Sequence, residues 1–347
     1  MTTGTTRRKF LLGTGAAALS AAVVPWAGVW SAGRDLSPKE IAADRNRALV
    51  SITLDLEMSR NFPKWEMMEW DYEKGNLDDA TKQYTVGACQ RVKRMGGVIH
   101  CFAVGRTLEQ PDVEWLKGIA AEGHPIGNHT YDHIYLLAKK AEDVQFRFKR
   151  SPWLIEGKGV PQVIEENVRL ATKALQERAG IKNNGFRTPG GFATGLTGRD
   201  DLQQMLLNCG FTWVSSKYPT HPITKPFEEP NGEFLEAIVK AQSAAQAFHY
   251  PTGLIELPMS PISDVGAFRN CRWKLESFLT AIRKGVEWAI ANKATYDFLA
   301  HPSCLGVADP EFKTIDMICE LVQKAGDRAS LVGLDVFAER AKLRRQG

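Results

Sequence analysis

The sequence predicts an α/β protein, a seven-stranded (β/α) barrel in a single domain behind an N-terminal export signal. Three observations carry that prediction. Apolar strand-like runs alternate with helical patterns along the chain, the signature of a mostly parallel sheet. The runs are separated by crossovers throughout, which favours a barrel over an open sheet. No linker and no internal repeat divides residues 40–345, and a chain of 347 residues that is 44% hydrophobic can bury one large core.

The first segment, residues 1–33, stands apart from the fold. Arg7 and Arg8 precede Lys9 and Phe10, and an Ala/Gly/Leu/Val run follows, the layout of a twin-arginine export signal rather than a chance Arg pair in a leader. The stretch from Phe10 to Gly33 carries no charge, shows no clean small-x-small cleavage site and is long enough to cross a bilayer. The expectation is therefore export to the periplasm or beyond, with a membrane anchor as the alternative if the leader is retained.

Strands are then expected at 49–54, 98–103, 124–128, 185–187, 211–215, 254–257 and 295–300. Helices are expected at 78–95, 112–121, 161–178, 197–208, 273–292 and 310–324. In such folds the chemistry gathers at the carboxyl ends of the strands. Every polar cluster in the sequence falls there.

Charge and cysteine usage narrow the function. A net charge of +4, with Lys and Arg scattered, argues against a nucleic-acid partner. The six cysteines, Cys89, Cys101, Cys209, Cys271, Cys304 and Cys319, form no CxxC pair, so they read as small buried hydrophobes or incidental thiols.

Four clusters carry chemistry. In "TLDLE", Asp55 and Glu57 share one face of an extended segment while Leu56 faces away, so both carboxylates look into one site, or else form a solvated acidic junction. In "GNHTYDH", His129 and His133 stand four apart, a spacing that brings two imidazoles onto one face of a helical turn and suits Zn²⁺ with an open position. A third ligand is needed, and the first cluster can supply it. In "GFRTPGG", Arg187 ends a strand beside glycines whose backbone can approach a ligand closely. In "DFLAHPS", His301 ends an apolar strand, placed for general acid or base work or as a satisfied loop histidine.

Taken in order, Asp55 with Glu57, "HTYDH" (129–133), "RTPGG" (187–191), "FTWVSS" (211–216) and "LAH" (299–301) resemble the motifs of the polysaccharide deacetylase family, the carbohydrate esterase family 4 type of chitin and peptidoglycan N-deacetylases. "LIELPMS" at 254–260 is similar to a late strand of the same family. The resemblance implies a distorted, incomplete (β/α) barrel and removal of N-acetyl groups from an amino-sugar polymer, releasing acetate. It implies a divalent ion, Zn²⁺ by expectation, on Glu57, His129 and His133. It implies Asp55 as the base toward an attacking water, Arg187 holding Asp55 ionised, and His301 as the acid toward the departing amine. Gly190 and Gly191 would offer a backbone N–H to the oxyanion.

The sequence departs from the family in two places. Leu56 separates acids that are usually adjacent aspartates, so the roles of Asp55 and Glu57 are open to exchange. Gly190 stands where an aromatic residue is common, which leaves one pocket wall undefined. The insert after the first strand carries Trp65, Trp70 and Tyr72, which either stack on sugar rings or plug the barrel mouth. Trp213 is expected as a core or pocket wall. Two other functions stay in view: hydrolysis of another C–N bond, such as a cyclic amide of the allantoin kind, and glycan binding without catalysis. The full set of acid, base and ligand residues counts against the last of these.

Overall fold

The computed structural model describes residues 36–59 and 74–346, all within one compact unit. Residues 1–33, where the export signal is expected, lie outside the described residues, as do Trp65, Trp70 and Tyr72.

The central strand β1 (Ala48–Leu56) is buried along its whole length. One face is apolar and the other carries Ser51, Thr53 and Asp55, yet both are covered, as in parallel strands. It pairs in parallel with β2 (Ile99–Ala103), and beyond β2 follow β3 (Ile126–Asn128), β4 (Phe186–Phe192) and β5 (Trp213–Lys217). The two-residue strands β6 (Phe248–His249) and β7 (Ile255–Glu256) complete that side, with β6 antiparallel. On its other side β1 pairs with β8 (Thr295–Ala300), and with β9 (Ala329–Leu331) near its start.

The sheet order β6-β7-β5-β4-β3-β2-β1-β8, with β9 beside β1, makes nine strands among the described residues rather than the expected seven. The two extra strands, β6 and β9, are two and three residues long, too short to leave a period-2 pattern. The sheet curls without closing by strand pairing. Between β7 and β8 the gap is bridged instead by Ser260, whose N–H donates to the Asp297 carbonyl (3.1 Å) and whose hydroxyl accepts from the Asp297 N–H (3.0 Å). This is the distorted, incomplete (β/α) barrel that the motifs imply.

The six expected helices form close to their predicted bounds, from Asp79–Arg94 after β1 to Lys313–Ala325 after β8. Asp78 caps the first of them by accepting from the Thr81 N–H (2.9 Å). Their buried faces and the outward-facing residues of the strands, among them Leu54, Leu56 and Phe298, make the main core. The opposite face of β1, carrying Thr53 and Asp55, turns into the barrel. No helix among the described residues is long and apolar enough to cross a membrane.

Candidate active site

Three strand ends deliver the charged groups. β1 stops at Leu56, and the Glu57 N–H turns back to donate to the Asp55 carbonyl (2.9 Å). Asp55 and Glu57 therefore enter the barrel mouth together while Leu56 stays in the outer core. Ser303 fixes this turn: its hydroxyl donates to the Glu57 carbonyl (2.7 Å) and accepts from the Ser59 N–H (2.7 Å). The end of β1 is thus latched to the segment that carries His301.

His129 continues β3, its N–H donating to the Ala103 carbonyl of β2 (3.1 Å). The expected helical turn does not form here. Thr130 and His133 both take positive φ (60° and 55°), and "HTYDH" is a loop knotted by polar bonds. The Asn128 side chain accepts from the Thr130 N–H (2.7 Å), the Thr130 hydroxyl accepts from Ile134 N–H (3.1 Å), and Asn167 accepts from the N–H groups of Tyr131 and Asp132. The two rings still converge, with centroids 5.2 Å apart. Spacing alone could not distinguish a helical turn from a loop that closes on itself.

The donor atoms meet at Glu57. His133 Nε2 lies 2.5 Å and His129 Nε2 3.5 Å from Glu57 Oε2, and one atom from each of the three residues lies within 4.8 Å of the others. His129 Nδ1 sits 3.0 Å from the Arg187 carbonyl; donating there leaves its Nε2 lone pair aimed at Glu57. One carboxylate oxygen and two imidazole nitrogens form a donor set suited to Zn²⁺ or a similar borderline ion. Two ligands of a tetrahedral zinc site sit about 3.3 Å apart, close to the His129 to Glu57 separation. Burial alone would push the Glu57 carboxyl up, but His133, Lys74 and the imidazole contacts outweigh it and hold the group well below the usual carboxylate range. His133 is pushed down, chiefly by burial, toward the neutral form a metal needs.

Asp55 takes a different partner. Arg187, wholly buried on β4, donates from Nη1 to Asp55 Oδ1 (3.0 Å) and to the Thr53 hydroxyl (2.8 Å). Its Nη2 lies 2.5 Å from Asp297 Oδ2 on β8, its Nε donates to Ser215 on β5 (3.2 Å), and its guanidinium rests 4.4 Å over the Phe102 ring of β2. Five strands thereby converge on one cation. Asp297 is pushed up to about 6 by burial, partly offset by Arg187 and Thr53.

His301 caps the other wall. Its Nδ1 is 2.8 Å from Asp264 Oδ1, and its N–H donates to Asp264 Oδ2 (2.7 Å). Its Nε2 points to Glu57 (3.5 Å) and Asp55 (4.0 Å). Burial would lower this imidazole, yet Asp264 and then the two site acids raise it above the usual histidine value. Asp264 and Asp297 were both missed by sequence reasoning. Asp297 carried a signal: in "YDFLAH" it is an acid on the same strand face as His301, the pattern that singled out Asp55 and Glu57. Asp264 caps the start of the π-helical stretch Val265–Asn270 and shows no such pattern.

A cavity of about 610 Å³ joins Asp55, Glu57, His129, His133, Gly190 and His301. Gly191 also lines it, and a Cβ there would come within 2.5 Å of Tyr218 Cβ, so the close approach requires glycine. Gly190 has a positive φ of 72° with open space around it. The absent aromatic therefore leaves room at the cavity mouth.

Trp213 does not belong to the site. It opens β5 at the far end of the strands, 5% exposed, edge-on to His100 and Phe102, and its benzo ring fills the space beside Gly185. The family-like motif around it records core packing. Its ring is at the amino end of a strand, while the cavity opens at the carboxyl ends.

Comparison with known proteins agrees with this fold. The polysaccharide deacetylase family model matches residues 76–213. That span holds His129, His133 and Arg187, whereas Asp55, Glu57 and His301 are joined to them by the fold. Among solved structures, a protein assigned as a polysaccharide deacetylase from Mycobacterium smegmatis superposes with a TM-score of 0.56 at 17% identity, over 87% of this chain and 93% of its own. One assigned likewise from Pseudomonas aeruginosa gives 0.57 at 14%, over 89% and 95%. Puue allantoinase gives 0.53 at 16%, over 89% and 95%. No curated protein matches the sequence.

Proposed function

Because the chain belongs to the polysaccharide deacetylase family, we propose that it is a metal-dependent hydrolase that removes N-acetyl groups from an amino-sugar polymer, such as peptidoglycan or a chitin-like glycan, outside the cytoplasm. The observation that carries this reading is the separation of two acids on one strand end. Glu57 faces both His129 and His133, whereas Asp55 is bonded to Arg187 and reaches only His129 of that pair, at 3.7 Å.

Glu57, His129 and His133 would hold the ion, Zn²⁺ by preference of the donor set. A divalent ion there supplies Lewis acidity toward water and the amide carbonyl. Asp55, kept aimed by Arg187, accepts the proton of the attacking water. His301, held by Asp264 with its Nε2 toward the acids, carries a proton at near-neutral pH and gives it to the leaving amine. The backbone at Gly190 and Gly191 lines the cavity where a tetrahedral oxyanion would form. The Arg-Arg leader supports export by the twin-arginine route, and such a glycan is an extracytoplasmic substrate.

Metal analysis joined to acetate release from acetylated chitooligosaccharides and peptidoglycan tests the reading, with allantoin as the competing substrate. The expected result is one equivalent of metal and acetate from at least one glycan. Glu57→Gln should lose the metal and Asp55→Asn should keep it, both without activity. A metal-free wild type, or ammonia-free ring opening of allantoin with no acetate from any glycan, overturns it.

A further inference from the structure

Glu57 has a second partner besides the imidazoles. Lys74, 3% exposed, places its Nζ 2.5 Å from Glu57 Oε1 and 3.1 Å from the Ser59 hydroxyl, which itself donates to the same Oε1. The placement is built in. The Met58 N–H donates to the Lys74 carbonyl (2.9 Å), tying this segment to the end of β1. The next residue is Gly75, where a Cβ would fall 2.5 Å from Arg106 Cβ and 3.2 Å from the Thr107 nitrogen, so only glycine lets the chain run this close to the β2 end. A lysine buried to this degree is rare unless paired. Here the pair is made with the one carboxylate that the metal reading needs.

The two oxygens of Glu57 are thus divided. Oε1 is bonded by the Lys74 ammonium and the Ser59 hydroxyl, with His301 Nε2 3.5 Å away, and Oε2 faces His129 and His133. Resting on the reading of Glu57, His129 and His133 as ligands, we propose that Lys74 is a positioning residue that competes with the divalent ion for Glu57, restricting it to one oxygen and keeping the site exchangeable. Two physical effects act together. The ammonium occupies the oxygen through which Glu57 would otherwise chelate with both atoms. A fixed positive charge across a single carboxylate also repels a divalent cation in a site shielded from water, where such repulsion is strongly felt. A single oxygen donor beside two imidazoles selects against Ca²⁺ and Mg²⁺, which require several oxygens.

Zinc and cobalt affinities of the whole exported chain, measured by chelator competition, test the proposal with no reference to turnover. Lys74→Met keeps the length of the side chain and removes the charge. It should bind Zn²⁺ at least about tenfold more tightly than wild type, and Zn²⁺ should raise its melting temperature more than it raises that of wild type. Lys74→Gln, neutral but able to donate to Glu57, should tighten binding in the same direction if the methionine variant does not fold. Equal or weaker zinc affinity in the folded variant, with wild type binding one equivalent, overturns the competition and leaves the metal site standing. No zinc bound by wild type or by either variant overturns both. Zinc bound by the variants alone supports the competition and overturns the metal-dependent reading of the wild type.

Discussion

Two buried histidines flank the central strand, and they do opposite things. His100 on β2 is wholly buried, stacked on Phe102 at 4.7 Å and edge-on to Trp213. Its Nε2 meets the Asn184 carbonyl (2.9 Å) and its Nδ1 accepts from the Leu334 N–H (3.2 Å), so one neutral tautomer satisfies both nitrogens. Burial pushes it down to about 3. His301, after β8, is almost as buried, yet its Nδ1 meets a carboxylate and its value rises. Depth is common to both, and the partner decides. A ring between backbone groups and aromatic faces is a structural wedge, whereas a ring pinned by Asp264 and facing two acids is a proton carrier.

The contrast breaks most visibly under paired substitution. His301→Gln should lower turnover by about 10²–10⁴-fold, the usual contribution of a positioned acid or base, while metal content stays near wild type and the loss of stability is limited to that of the Asp264 pair. His100→Gln should cost about 1–3 kcal/mol of stability through a mispaired buried polar group, with activity per folded molecule unchanged. Steady-state kinetics beside denaturant unfolding read both. A large catalytic loss in His100→Gln, or none in His301→Gln, would sink the distinction.

Asp264→Asn sharpens it at the next level of effect. His301 must hold its proton to act as an acid, and its raised value keeps activity up on the alkaline side until the pH passes that value. Without the Asp264 charge the largest influence raising His301 is gone, and its value falls. The alkaline limb of kcat/KM should then move to lower pH, with a fall of about 10-fold or more at pH 8. Stability follows the same sign. The His301 and Asp264 pair contributes fully below the unfolded histidine value of about 6.5 and fades as pH rises through the raised folded value. The stability gap between wild type and variant should therefore narrow as pH rises. An unshifted alkaline limb would mean that some other group supplies the proton.

This division also explains what the sequence could and could not reveal. Asp55, Glu57 and His301 were legible because an ionisable group at the end of an apolar strand breaks a period-2 pattern, and six helices were legible from their apolar faces. His129 and His133 were found through a spacing that suits a helix, although a loop with two left-handed residues brings them together. The pairing was right and its cause was not. Asp264, Lys74 and Ser303 left no trace, because each acts on residues distant in the chain through a loop or a helix start with no periodic pattern. Trp213 was read as a core or pocket wall, and of the two the structure bears out the core. A motif marks a position in the fold, and at this position the ring faces the core end of β5.

The smallest effect separates the core and pocket-wall readings of Trp213. Trp213→Phe keeps an aromatic edge toward His100 and Phe102 but empties the space its benzo ring takes up beside Gly185, where it would lie 1.8 Å from a Cβ. The expected cost is about 1–2 kcal/mol, on the scale of a partial large-to-small change in a core. KM and kcat for any glycan should stay within twofold of wild type, since Trp213 is not among the residues lining the cavity that joins Asp55 to His301. A several-fold rise in KM with stability intact would return Trp213 to the substrate site and would mean that the two ends of the barrel are not the separate chemical regions drawn by the two histidines.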